Sequence, residues 1–168
     1  MSQMQAYSQL YPYMVLETRG CSPALRLQAI QKTARLFCRD THGWQEELWP
    51  FSLVNEQDEY TLVWEYDAEI LRILNVWKLT EAAVTAGTRG DPMSEDLYQL
   101  NLDTTKESRT ILKFTDEDRA DVEKGLIVSV AFLPHLDATG ISCAFLDRWA
   151  EGIIAGAMAT LLKMPAEK

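Results

Sequence analysis

Between Gly152 and Leu162 the chain carries no charge, and Thr160 is the one polar side chain in the run. The spacing around it predicts a helix over 142–164. Ser142 is placed to cap the free N–H groups of the first turn. Leu146, Trp149, Ile153, Ala157, Leu161 and Met164 recur every three or four residues and form one apolar face. Asp147, Arg148 and Glu151 oppose that face only in the first half. A helix that is apolar all round is buried, and crossing a bilayer takes about 20 apolar residues. The run is shorter than that, so it reads as core or subunit interface. Gly152, Gly156 and Thr160 make a row of small residues that lets another backbone come close. With Lys163, Met164 and Lys168 they form the expected contact with a neighbouring subunit or partner.

The 168 residues suffice for one domain that buries about 70% of its unfolded surface. Acidic residues outnumber basic ones by 25 to 16, giving a net charge of −9. That balance argues against a protein that grips nucleic acid, which needs a basic patch. Cys21, Cys38 and Cys143 are an odd set without metal-ligand spacing. They are expected to be small buried hydrophobes in a reducing cytosol. No signal peptide, membrane span or lipidation motif is present, so a soluble protein made in the cytoplasm is expected.

Taken in order, Met1 to Arg19 has a polar lead and then Leu10, Tyr11, Tyr13, Met14, Val15 and Leu16, with Pro12 limiting any helix to a short piece. Ser22 at the N-cap and Pro23 at the first helical position start a helix running to about Arg39. Leu27, Ile30, Ala34 and Phe37 line one face with Cys38 beside it; Gln28, Lys32, Arg35 and Arg39 line the opposite, solvated face. Trp44 to Val54 reads as a strand with an edge or bulge at Pro50, forming a hairpin with Tyr60 to Trp64. Ile70 to Leu79 is apolar enough to be a central strand covered on both faces. Thr80 to Leu97 reads as a long loop, whose Arg89 and Asp91 are further candidates for partner contact. Strands follow at Tyr98–Asp103, Thr110–Phe114 and Leu126–Pro134. Between the last two, Thr115–Lys124 is acidic and reads as a helical turn or a hairpin loop. The fold class expected is α+β. Helices at about 22–39 and 142–164, with a short N-terminal one, pack with an inserted antiparallel sheet of about five to six strands. In domain terms, residues 1–168 form a single unit with a helical core at 8–40 and 142–164 and an inserted β region at 44–134.

Catalytic machinery is not legible. No Gly-rich phosphate loop follows a strand, and Gly140-Ile141-Ser142-Cys143-Ala144 lacks the second Gly of a nucleophile elbow. His42 and His135 are the two histidines. His135 and Asp137 could orient a general base at a strand end, but plain loop chemistry explains them and no activated nucleophile accompanies them. The adjacent carboxylates Asp116, Glu117 and Asp118 do not converge on one ion. No metal site and no cofactor are expected.

Several landmarks fall in a recognisable order. Gly20-Cys21-Ser22-Pro23 precedes a helix that Ala34, Phe37-Cys38 and Thr41…Trp44 close; Pro50, Leu53 and Tyr60-Thr61-Leu62 follow. Then come Ile70-Leu71-Arg72-Ile73-Leu74-Asn75-Val76, Val128-Ser129-Val130-Ala131-Phe132-Leu133-Pro134, and a closing run from Glu151 through Gly156-Ala157 to Met164-Pro165. This order resembles the head–tail connector adaptor proteins of tailed bacteriophages, relatives of the tail tubular protein A group. The likeness spans about Leu10 to Pro165 and is most specific in the closing run.

The resemblance implies a non-enzymatic virion protein that forms a ring, usually dodecameric, joining the portal protein to the next tail component, a stopper or nozzle. DNA passes through the ring without specific binding, and no membrane is involved. A Pro-Trp segment often follows the last helix in this family. Pro165-Ala166-Glu167-Lys168 stands there instead, so a shortened portal-inserting arm, or none, is expected. Asp116, Glu117, Asp118, Asp121 and Glu123 are expected at the lumen or its rim, where repeated negative charge repels phosphates. The alternatives are another connector part, such as a stopper or terminator, and a cytosolic enzyme of unknown type. Two long helices speak against the first and the missing polar cluster against the second.

Overall fold

In a computed structural model, residues 3–103, 109–115 and 121–163 are described. They form an α+β protein with four α-helices and nine strands, every registered strand pair being antiparallel. The chain falls into two compact units. One comprises residues 1–44, 66–69 and 132–168; the other comprises 45–65 and 70–131.

The first unit is built on two helices, α2 (Pro23–Thr41) and α4 (Cys143–Leu162). The start of α2 follows from its sequence: Pro23 opens it and the Ser22 hydroxyl accepts from the Leu25 N–H at 3.3 Å. It runs two residues beyond the expected end and stops where His42 turns left-handed, φ 51°. Thr33 meets Gly156, and Phe37 packs on Phe145 and Trp149 with ring centroids 5.9 and 5.0 Å apart. Positions advancing along α2 thus meet positions receding along α4, so the two helices run antiparallel.

The buried face of α2 is Ala29, Ile30, Ala34 and Cys38, rotated from the expected stripe; Leu27 and Phe37 are half-buried. The expected solvated face is also partly engaged. Arg35 donates to the Pro134 carbonyl and pairs with Glu69, and Gln31 donates to the Ala138 carbonyl at 2.9 Å.

The N-terminal segment is more structured than its sequence suggested. β1 (Met4–Ala6) pairs with β9 (Gly140–Ser142), a 3-10 turn covers Tyr7–Leu10, and α1 spans Tyr11–Met14. A Cβ on Gly140 would lie 2.6 Å from the Gln5 carbonyl oxygen, so the close strand approach requires glycine there. Trp44, Tyr66 and Phe132 cluster in tilted and edge-to-face contact, with centroids 5.3 to 5.4 Å apart.

The second unit holds most of the β-structure. β2 (Gln45–Glu47) and β3 (Phe51–Leu53) both pair with β8 (Val122–Pro134), as does β5 (Ala68–Lys78). The single strand expected over Trp44–Val54 is therefore two, interrupted at Trp49-Pro50, where proline has no N–H to give a ladder. Opposite β3 the register is irregular: Phe51 faces Leu126 and Leu53 faces Val122, with Lys124 left-handed at φ 55° between them. The central position expected for Ile70–Leu79 belongs to β8, which pairs along both edges and is buried almost throughout from Gly125 to Pro134. β5 instead buries Ala68, Ile70, Ile73 and Val76, with exposed or half-buried residues between them.

The expected hairpin is absent. β4 (Glu59–Thr61) pairs with β7 (Arg109–Phe114), which pairs in turn with β6 (Tyr98–Asp103), giving a separate three-stranded sheet in the order β4-β7-β6. Its buried side carries Tyr60, Tyr98, Leu112 and Phe114. The stretch Thr80–Leu97, expected as loop, contains α3 (Glu81–Ala86), capped by the Thr80 hydroxyl and ended by left-handed Gly87.

Candidate assembly surface

α4 begins directly after Ser142, which ends β9 and holds the N-cap position, but its side chain makes no capping hydrogen bond. The Ser142 hydroxyl is buried and has no hydrogen-bond partner among the described residues. Pairing with Met4 places this residue inside the strand ladder, and the ladder overrides the capping role that its identity suggested. The helix turns Phe145, Leu146, Ile153, Ala157 and Leu161 inward, while Trp149 is half-buried. Burial of Ile153 or Leu161 contributes about 1.5–3 kcal/mol.

The helix is not covered on all sides. Gly152, Ala155, Ala159 and Leu162 are exposed, Leu162 to 65%, and Ile154 and Met158 are half-exposed. Over these three turns the outward side carries no charge until the exposed Lys163. The expectation of an all-round buried helix thus holds for one face of the single chain, and the other face is apolar surface.

The small-residue row divides accordingly. At Gly156 a Cβ would lie 2.6 Å from the Thr33 methyl, so the close approach is made by α2 of the same chain. A Cβ on Gly152 would meet nothing within 4 Å. The Thr160 hydroxyl donates back to the Gly156 carbonyl at 2.9 Å. Met164 and Lys168 lie outside the described residues. The exposed residues Ala155, Ala159 and Leu162 were missed as candidates; the uncharged run between Gly152 and Leu162 was the signal that includes them.

Arg89 is engaged within its own unit. Its guanidinium makes a forked pair with both carboxylate oxygens of Glu47, at 2.5 and 2.9 Å, and lies over the Trp77 ring, 5.5 Å from the centroid. The guanidinium holds the Glu47 carboxyl below the usual glutamate range despite partial desolvation. Asp91 is exposed. Of the acidic candidates, Asp116, Glu117 and Asp118 lie outside the described residues. Glu123 is exposed; Asp121 is exposed too but accepts from the Asn55 N–H at 2.7 Å, which fixes the Val54–Gln57 turn. β8 begins at Val122, so no helical turn extends to Lys124.

The candidate chemistry does not assemble. His135 and Asp137 are both exposed in the turn after β8, where the His135 carbonyl accepts from Ala138. Among the described residues no three His, Cys, Asp or Glu side chains gather as a metal site. Of the three thiols only Cys38 is buried; Cys21 and Cys143 are half-buried, a correction to the expectation for all three. Burial pushes the Cys38 thiol up to about 12, against a lowering hydrogen bond to the Trp44 backbone. A thiol so poised is protonated and inert at neutral pH. The Tyr7 hydroxyl is likewise buried, without a partner among the described residues, and its pKa is raised, by desolvation first and then by Cys38 and Asp67. Among the described residues no helix is long and apolar enough to cross a membrane. The sequence matches no protein-family model and no curated protein.

Proposed function

We propose that this chain is a structural, non-enzymatic subunit: a head–tail connector adaptor of a tailed bacteriophage. It assembles as a ring, dodecameric in the family it resembles, between the portal protein and the next tail component. The observation that carries the reading is the outer face of α4, where Gly152, Ala155, Ala159 and Leu162 are exposed without a charge among them. A helix face in permanent contact with water carries polar residues, and a contiguous apolar surface marks a contact with another protein. The order of landmarks in the sequence supplies the class of assembly. The net charge of −9 suits a wall past which DNA must slide, and Glu123 remains a candidate for that wall.

The test uses the full chain with the portal protein of the same virus, imaged by negative stain with and without it. Wild type is expected to form rings with a central hole, at least on the portal. Ala155→Arg alters an exposed position and is expected to leave the fold intact, by far-UV circular dichroism, while abolishing rings. Unimpaired rings from A155R, or a wild-type chain that never forms a ring even with its portal, would refute the reading. A monomer with turnover in a deep polar cleft would favour the enzyme alternative.

A further inference from the structure

The three-stranded sheet has one edge that is long and, among the described residues, unpaired. In an antiparallel ladder, alternate residues turn both backbone groups toward one neighbour, and those between turn both away. The Thr115 N–H donates to the Leu97 carbonyl at 3.0 Å, and Tyr98 lies opposite Phe114. The Leu97 carbonyl and both backbone groups of Gln99 and Asn101 therefore face β7, while the Leu97 N–H donates to the Ser94 carbonyl. Tyr98, Leu100 and Leu102 point theirs the other way, where among the described residues no strand pairs with β6.

The opposite edge differs. β4 has three residues, its residues Glu59 and Thr61 face outward, and the Glu59 carbonyl already accepts from the Gln57 side-chain amide at 2.9 Å. β6 has six residues, with neither proline nor lysine nor a bulge among them. Those are among the devices by which proteins protect an edge strand, and the one charge in β6, Asp103, stands at its end.

We propose that β6 pairs antiparallel with β6 of a second copy about a two-fold axis at Leu100. Tyr98 then exchanges hydrogen bonds with Leu102 of the second copy, and Leu100 with its own counterpart. All six outward backbone groups on each strand are matched and none is left over. On the exposed side Gln99 faces Asn101 of the second copy, two neutral amides, so no like charges oppose each other there. Another copy's β4 would offer only three residues, one carbonyl of which is occupied. The result is a continuous six-stranded sheet. This contact does not rest on the connector reading. Neighbours in a cyclic ring meet through unlike surfaces, so the β6 pair belongs to the protein off the ring.

Sedimentation of the full chain across concentration tests it. An interface this small is weak, so samples must reach on the order of 100 µM to 1 mM. Wild type is expected to move from 19.1 kDa toward twice that mass. Gln99 and Asn101 are exposed, so charges there leave the subunit folded. Q99K/N101K sets lysine against lysine across the axis and is expected to weaken the dimer at least about tenfold. Q99K/N101E sets opposite charges there and is expected to dimerise at least as well as wild type. Wild type that stays monomeric throughout overturns the proposal. So does Q99K/N101K dimerising like wild type, or Q99K/N101E as weak as Q99K/N101K. If rings form on the portal but the dimer never does, the pair is refuted and the connector reading stands.

Discussion

Two glycines one turn apart on α4 should respond oppositely to the same added methyl. At Gly156 the new Cβ lies 2.6 Å from the Thr33 Cγ2, far inside contact distance. Thr33 is β-branched and helical, so its χ1 is stiff and the methyl does not swing aside freely. Overpacking of this kind costs about 1–3 kcal/mol, against about 1 kcal/mol gained by replacing glycine inside a helix. Gly156→Ala should therefore destabilise by up to about 2 kcal/mol. At Gly152 the Cβ meets nothing within 4 Å, so Gly152→Ala keeps the whole gain, about 1 kcal/mol or a few degrees in Tm. Thr33→Ser removes only the offending methyl. In that background Gly156→Ala should become stabilising, with a coupling energy of about 1–3 kcal/mol between the two sites. Guanidinium unfolding followed by circular dichroism at the helix band measures wild type and all four variants. The reasoning fails if G156A stabilises the wild-type chain as much as G152A does, or if T33S brings no rescue.

Ser142→Ala removes a buried hydroxyl without a partner, so it should be neutral or stabilising by up to about 1 kcal/mol in the same assay; loss of a true N-cap would instead cost about that much. Native Ellman titration at pH 8 should label Cys21 and Cys143 and leave Cys38 unreacted until the chain unfolds, because Cys38 is buried with its thiol at about 12. Glu47 has its carboxyl lowered by Arg89, so its contribution is present above the unfolded value of 4.5 and is lost as pH falls through the folded value. The denaturation midpoints of wild type and Arg89→Ala should therefore differ by a constant amount between pH 5 and 8, and the difference should shrink as pH falls below about 4.5, leaving what the Trp77 contact contributes.

What was legible in the sequence was what local chemistry decides. Ser22-Pro23 fixed the start of α2, alternation fixed the strands from Tyr98 and from Leu126, and the spacing of Leu146, Ile153, Ala157 and Leu161 fixed the inner face of α4. Pairing was not legible, because it depends on residues far apart. Tyr60 finds Leu112 and not the strand just before it. Met4–Ala6 and Gly140–Ser142 are three-residue strands with no period to read, and each exists because the other is there. Ser142 belongs to that pairing and to the N-cap position of α4 at once, and its side chain caps nothing. The candidate surface was half legible: the uncharged run marked the helix, but only the structure divides Gly156, which meets Thr33, from Gly152, whose added Cβ would meet nothing within 4 Å.

That division decides how the two proposed contacts can be separated. The outer face of α4 belongs to one compact unit and β6 to the other. The first contact is side-chain packing on a helix whose backbone bonds are already satisfied, so it depends on size and charge at Ala155 and Ala159. The second is backbone pairing, so it depends on which groups of Tyr98, Leu100 and Leu102 face outward and tolerates most side chains that do not repel. A155R should consequently abolish rings and spare the β6 pair, while Q99K/N101K should do the reverse. If each variant damages both assemblies, the two contacts share a surface, and the assignment of separate roles to α4 and β6 is wrong.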